Sequence, residues 1–182
     1  MIRIGTCLWT IFAILMVVSC VEEQDFNQYE DISVTPTYEA GLFYLEVPER
    51  SVNQLTGTNV YSRDFDFGAF SEDIFSKRVM EGVLTYEVGN TTSKPLEVEV
   101  RFLDGDGAVL DAEQFTLGPE PTAVLTKETH YGPYNGDINI IRNTSSLFVV
   151  VTNLGDTSST STQENPVFTL KSSAKFKVHI KQ

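Results

Sequence analysis

The segment Leu96–Phe102 alternates apolar and charged side chains without a break. The even-numbered positions are apolar (Leu96, Val98, Val100 and Phe102), and the odd-numbered positions are charged (Glu97, Glu99 and Arg101). Successive side chains of a β-strand point to opposite faces of a sheet, so this pattern predicts a strand with one buried face. Any fold proposed for the chain must accommodate that two-sided strand.

The same period of two recurs along much of the chain. In Met80–Val88 it predicts an inner face made of Met80, Leu84, Tyr86 and Val88, and near the C-terminus it covers 174–180. Further strand-like runs are 42–47, 60–67, 109–117, 122–126 and 147–153. Turn signals separate the runs at 89–95, 104–107, 118–121 and 135–137. Short strands with frequent turns predict an all-β, antiparallel β-sandwich.

The central piece, residues 85–110, has the order strand, Asn-Thr turn, strand, Asp-Gly turn, strand. In these 26 residues the chain resembles many immunoglobulin-like bacterial surface domains, which implies an immunoglobulin-like β-sandwich. Helix is a minority prediction, at Ser71–Met80 and Asp137–Arg142, and both segments are open to a strand or loop interpretation. The polar run Gly155–Asn165 predicts a mobile loop, because it has little apolar surface to bury.

The N-terminal segment is typical of a secretory signal. Arg3 is followed by an apolar run from Cys7 to Val18 and by the small residue Ser19. The run has 12 residues, whereas a helix that spans a membrane needs roughly 20. We therefore predict a cleaved signal peptide over residues 1–19 rather than a permanent transmembrane helix.

Val17-Val18-Ser19-Cys20 resembles the lipobox of bacterial lipoproteins. The resemblance implies that Cys20 becomes the first mature residue and carries diacylglycerol on its sulfur and a further acyl chain, such as palmitate, on its amine. Because each buried CH₂ contributes about 0.8 kcal/mol, several chains on one residue make a durable anchor. Cys7 would leave with the signal, so neither a disulfide nor a cysteine metal site is expected. The predicted organisation is a signal peptide (1–19), a lipidated cysteine with an acidic tether (20–40) and a β-sandwich domain (41–182).

The charge balance excludes some partners. The chain carries 13 Lys and Arg against 25 Asp and Glu, a net charge of −12. Such a chain repels nucleic acid and anionic lipid surfaces, since it has no large basic patch to bind phosphates. We predict no nucleic-acid partner.

Residues 104–113 contain the motif that most resembles a metal site. Asp104, Asp106 and Asp111 could supply oxygen ligands to calcium, but the spacing departs from an EF-hand, and glycine in a hairpin turn explains Asp-Gly-Asp-Gly equally without an ion. We favour the turn and expect no cofactor beyond the covalent lipid.

Few residues suggest catalysis. The only histidines, His130 and His179, are predicted to lie at the surface, and Asp64 and Asp66 form a carboxylate pair that we also expect to face solvent. No hydrolase, metalloprotease or P-loop motif occurs, so we expect a protein that is not an enzyme.

Aromatic and basic residues are candidates for ligand contacts. Tyr131 and Tyr134 could stack on a sugar or a partner, or could close one end of the sandwich. Lys175, Lys177 and Lys181 would either protect an exposed strand or dock an acidic partner.

The whole arrangement resembles uncharacterised outer-membrane lipoproteins of Bacteroidetes, of the flavobacterial type. In that group, acidic residues after the lipidated cysteine resemble an export signal to the cell surface, which in this chain would be Glu22 and Glu23. The resemblance implies a surface-anchored lipoprotein whose domain binds a protein or glycan partner or gives structural support. The alternatives are a glycan-binding or hydrolytic accessory of a surface polysaccharide system and an envelope-assembly component.

Overall fold

Antiparallel strands dominate the structure, a computed structural model that describes residues 33–54, 59–66, 72–120 and 123–181. The strands are β1 Ser33–Val34, β2 Thr37–Pro48, β3 Asn59–Asp66, β4 Val79–Asn90, β5 Leu96–Leu103, β6 Val109–Leu117, β7 Leu125–Tyr131, β8 Ser146–Asn153, β9 Val167–Val178 and β10 Ile180–Lys181. The described residues also form three short helices, which are α1 Glu49–Val52, α2 Asp73–Ser76 and α3 Ile138–Asn143. Residues Val34–Ile180 form one compact unit, which contains both of the large sheets.

Eight strands form two four-stranded sheets. The first sheet has the order β2-β9-β4-β7 and the second the order β3-β8-β5-β6, and all of their pairs are antiparallel. The predicted all-β antiparallel sandwich is confirmed. Along the chain from β2 to β9, successive strands alternate between the sheets except at the β5–β6 hairpin. This eight-strand order is that of a jelly roll, a sandwich whose connections differ from those of immunoglobulin domains.

The core lies between the two sheets. The inner face of β5 consists of the four apolar residues that the alternation predicted, and each is at most 1% exposed: Leu96, Val98, Val100 and Phe102. Aromatic contacts join the sheets, with ring centroids 5.4 Å apart for Tyr86 and Phe115 and 4.6 Å apart for Phe43 and Phe65. Burying one such apolar side chain stabilises the fold by about 1.5–3 kcal/mol, so this interior is the main source of stability.

Strand pairing is irregular at two places in the first sheet. The β4–β9 register shifts between Val79 and Glu81, and Met80 is exposed, so its predicted place on the inner face is wrong. A bulge adds one unpaired residue and reverses the alternation locally. The β2–β9 register shifts in the same way between Gly41 and Phe43.

Some element boundaries differ from those predicted. Strand β7 begins at Leu125 rather than at Thr122, and β2 begins at Thr37 rather than at Leu42. Helix α3 confirms the helical interpretation of Asp137–Arg142, because the Asp137 side chain accepts a hydrogen bond from the Asn139 backbone N–H at 2.9 Å and caps the helix. Only Asp73–Ser76 of the other predicted helix is helical among the described residues.

Candidate binding site

The outer face of the first sheet carries a groove that runs across its strands, named the outer-face groove. Its floor contains Gly41, Ser173 and Thr85, which are opposite one another on β2, β9 and β4. Two adjoining depressions of 380 Å³ and 430 Å³ share these three residues. These volumes lie within the range of small-molecule sites, although the groove is shallower than an enclosed pocket.

Longer side chains form the walls of the groove. On one side Lys175 lies 2.5 Å from Glu39, and on the other Lys171 lies 3.3 Å from Glu87. The hydrogen bond from Lys175 to Glu39 raises the pKa of the lysine, so its ammonium is charged at all physiological pH values. Both walls therefore carry one positive and one negative group.

Tyr44 stands at the β2 end of one wall and is 53% exposed. Its hydroxyl donates a hydrogen bond to Glu46 at 2.6 Å, and this bond is the main reason that the pKa of the tyrosine is raised. The bond restrains the ring while leaving it accessible to a ligand.

Gly41 keeps the floor of the groove open. A β-carbon at this position would meet no atom within 4 Å, and the adjacent bulge bends β2 away from regular pairing. Glycine inside a strand often marks a bulge or a close approach by a ligand. A glycine beside a predicted strand is the one local signal in the sequence that points to this groove. Which side chains lie beside it depends on the register of the neighbouring strands, which the sequence does not show.

The loops that follow β2, β4, β6 and β8 gather at one end of the sandwich, named the loop end. Antiparallel pairing places them opposite Val34 and Ile180, where the chain enters and leaves the unit. Side chains tie these loops together. Ser93 donates to the buried carboxylate of Glu49 at 2.5 Å, and Asn53 donates to Ser159 at 2.5 Å.

The polar run Gly155–Asn165 belongs to this network and is anchored by it. Lys94 is buried and forms an ion pair with Asp156, while Thr162 donates to Glu120. The bond from Lys94 is the largest of the effects that lower the pKa of Asp156 to about 2, followed by bonds from Ser158. Composition alone predicted a mobile loop, because it shows the lack of apolar surface but not these partners.

A second polar cluster joins the sheets where β6 faces β7. Lys127 forms an ion pair with Glu113, Thr129 donates to Glu113 at 2.7 Å, and Tyr131 donates to Asp111 at 2.9 Å. The sequence did not predict this cluster, since the polar members of β7 interrupt the hydrophobic alternation that marks a strand.

Two of the three aspartates considered for calcium, Asp104 and Asp111, accept hydrogen bonds from protein groups. Asp104 accepts hydrogen bonds from the backbone N–H groups of Asp106 and Ala108, at 3.0 and 2.8 Å, inside the β5–β6 turn. Gly107 has a φ of 81°, as the turn interpretation requires, and Asp111 binds Tyr131. Across the described parts of the chain, no three His, Cys, Asp or Glu side chains are grouped to hold a metal ion.

The remaining candidates are scattered. Tyr131 is buried in the core, whereas Tyr134 is 92% exposed in the following loop, so they do not form one aromatic surface. His130 is exposed and lies 3.8 Å from Glu128, and His179 is half-buried on the connection after β9. Both members of the Asp64 and Asp66 pair are exposed.

Lys175 and Lys177 do not protect a sheet edge. Strand β9 pairs on both sides, with β2 and β4, so that part of the interpretation is wrong. Lys175 pairs with Glu39, and Lys177 lies 3.6 Å from Glu81. Acids of neighbouring strands thus neutralise lysines that looked unopposed in the sequence; the side chain of Lys181 lies outside the described atoms.

Cys20, Glu22 and Glu23 lie outside the described residues, as does the predicted signal peptide. Among the helices of the described segments, none has the length and hydrophobicity to cross a membrane.

No protein-family model and no curated protein matches the chain. Solved structures with some similarity include a Bacillus endospore appendage protein from disulfide-linked pili (9% identity, TM-score 0.37, 79% of this chain and 90% of that one). A candidate secreted protein from Parabacteroides distasonis is 13% identical with a TM-score of 0.40, and the match covers 63% of this chain but 36% of that protein. An Israel acute Paralysis Virus structure is 6% identical with a TM-score of 0.43, covering 90% and 84%. These similarities carry no inference about function, and the class of the fold, a jelly-roll sandwich, rests on strand order.

Proposed function

We propose that this chain is a surface-anchored lipoprotein whose jelly-roll domain binds a partner of the cell envelope and performs no catalysis. The observation that carries the binding role is the outer-face groove. Its charged side chains neutralise one another in ion pairs, an arrangement that suits recognition of a polar ligand.

The anchor in this proposal is the lipid on Cys20, which rests on the lipobox resemblance and the preceding apolar run. The chain enters the compact unit at Val34, at the end opposite the loop end.

Replacing the anchoring residue tests the first part of the proposal. The Cys20→Ala variant should lose its lipid and appear in the soluble fraction, because no other acyl chains would hold it. Membrane fractionation with metabolic palmitate labelling measures both effects. The control is Cys7→Ala, which should stay lipidated and membrane-bound; retention of Cys20→Ala at the level of the control would refute the anchor.

Filling the groove tests the second part. Gly41→Leu adds a side chain into open space and should abolish capture of envelope material by the full chain. Gly118→Leu is the matched control, since a β-carbon there also meets no atom within 4 Å but lies after β6, at the loop end. Capture that is equal for wild type and both variants would contradict a binding role for the groove.

A further inference from the structure

The outer-face groove offers both kinds of hydrogen-bonding group within a short distance. Lys171 and Lys175 are donors, Glu39 and Glu87 are acceptors, and the hydroxyl groups of Thr85 and Ser173 are both. A ligand that fits this set must itself donate and accept at many positions.

The charge pattern of the walls restricts the ligand further. An anionic ligand attracted to Lys171 or Lys175 would be repelled by the neighbouring Glu87 or Glu39. A cationic ligand attracted to either glutamate would be repelled by the neighbouring lysine. Separating either ion pair to bind a charge would also forfeit an existing contact. An uncharged, strongly polar ligand incurs neither cost.

The floor of the groove disfavours a peptide. Strand β9 pairs with both β2 and β4, and β4 pairs with both β9 and β7, so their backbone groups are used within the sheet. Among these three strands only β2 has an edge that pairs with no other described strand, so a peptide lying over β9 and β4 would contact side chains without backbone partners. Hydroxyl groups have no such requirement, because they bond to side chains directly.

Tyr44 adds an apolar surface at one end of the same groove. Its exposed ring can pack against the carbon-hydrogen face of a sugar ring, which aromatic side chains do at low cost in conformational entropy. The bond to Glu46 already restrains the ring, so less freedom is lost on binding.

From these features together we propose that the outer-face groove binds a neutral oligosaccharide, with a sugar ring packed on Tyr44 and hydroxyl groups bonded to the lysine and glutamate side chains of the two walls. This inference rests on the proposed binding function and names the chemical class of its ligand.

Calorimetric titration of the full chain in detergent tests the ligand class. The probes are neutral tetrasaccharides of glucose, mannose and xylose, an acidic galacturonate tetramer, and an uncharged peptide of serine and glycine. We expect saturable binding of at least one neutral tetrasaccharide, with an affinity that changes by less than about twofold between about 0.05 and 0.5 M salt, because no net charge is neutralised.

Variants connect that binding to the groove. Tyr44→Ala should weaken it by about tenfold or more, whereas Tyr44→Phe keeps the ring and should stay within about threefold of wild type. Gly41→Leu should abolish binding, and Gly118→Leu should leave it unchanged.

The outcomes separate this inference from the proposed function. Tighter binding of the galacturonate or the peptide than of every neutral sugar would overturn the carbohydrate assignment. If no neutral sugar binds while Gly41→Leu still loses captured envelope material, the ligand class is wrong and the binding function stands. If Gly41→Leu changes neither sugar binding nor the capture of envelope material, the carbohydrate assignment and the proposed binding function of the groove are both wrong.

Discussion

Tyr86 and Tyr131 are both buried, yet the hydroxyl of Tyr86 has no hydrogen-bond partner among the described residues, while that of Tyr131 donates to Asp111. Burial is the main cause that raises the pKa of each phenol, and the charges of Asp111 and Glu113 reinforce it. Both phenols therefore remain protonated donors, and they differ in whether that donor is used.

The two hydroxyl groups should have opposite effects on stability. Tyr86→Phe should raise the free energy of unfolding by about 1 kcal/mol, since it removes a buried polar group without a partner. Tyr131→Phe should lower it by about 1–2 kcal/mol, because the bond to a carboxylate is lost. Urea unfolding at neutral pH measures both values.

Each variant controls for the other, because the same oxygen atom is removed from the same residue type in one core. A loss of stability in Tyr86→Phe as large as that in Tyr131→Phe would show that the Tyr86 hydroxyl has a partner, such as a buried water molecule.

Among the elements, the loop between β8 and β9 is held by the ion pair of Asp156 with Lys94 as well as by the hydrogen bonds of Ser159 and Thr162. The pKa of Asp156 is lowered to about 2 from an ordinary value of 3.8, chiefly by Lys94. A carboxyl group with a lowered pKa stabilises the fold above its ordinary pKa, and that contribution is lost as the pH falls toward the folded value. Protonation would leave the buried ammonium of Lys94 without its partner.

Lowering the pH should therefore loosen this loop. Between about pH 4 and pH 2 the wild-type stability should fall more steeply than that of Asp156→Asn, which lacks the titrating group. Urea unfolding across this pH range, with amide exchange in residues 154–166, gives both readouts.

Glu164→Gln is the control, since it removes an exposed carboxylate from the same loop. Its stability should follow the wild-type pH profile. If Asp156→Asn also follows it, the pair with Lys94 does not govern the loop.

Regular strands could be predicted where alternation is uninterrupted, as in β5, because inward and outward positions are set locally. The sequence prediction placed β7 too early in the chain, because the polar residues Lys127 and Thr129 interrupt the alternation. Both side chains bond to Glu113 across the sandwich. The exposure of Met80 was missed for a related reason, because a bulge arises from pairing with another strand. The outer-face groove shares this origin: its residues come from three strands, and nothing local in 41, 85 or 173 shows that they meet.

At the scale of the whole molecule, the sequence predicted a two-sheet sandwich but not its jelly-roll order. The alternation of apolar and polar residues indicates which face of a strand is buried. It does not indicate which strand lies beside it, because the alternation is the same for every neighbour. The pairing of β2 with β9 joins residues such as Thr37 and Lys177, from opposite ends of the chain.

The location of the whole molecule can be tested through the acidic residues after the predicted anchor. Replacing Glu22 and Glu23 with alanine should leave lipidation intact and reduce digestion by a protease added to intact cells, since the proposed export signal would be lost. Immunoblotting of treated cells measures the digested fraction. Aspartate at both positions keeps the charge and should preserve digestion; equal digestion of the alanine variant would remove the export proposal.

The position of β9 also constrains the order in which the chain can fold. This strand lies between β2 and β4, so the first sheet cannot close until residues 167–178 are available. Contacts between such distant segments slow folding, because a long loop must close before they stabilise anything. A chain threaded through a membrane from its N-terminus would thus stay unfolded until nearly all of it had crossed, as passage through a narrow channel requires.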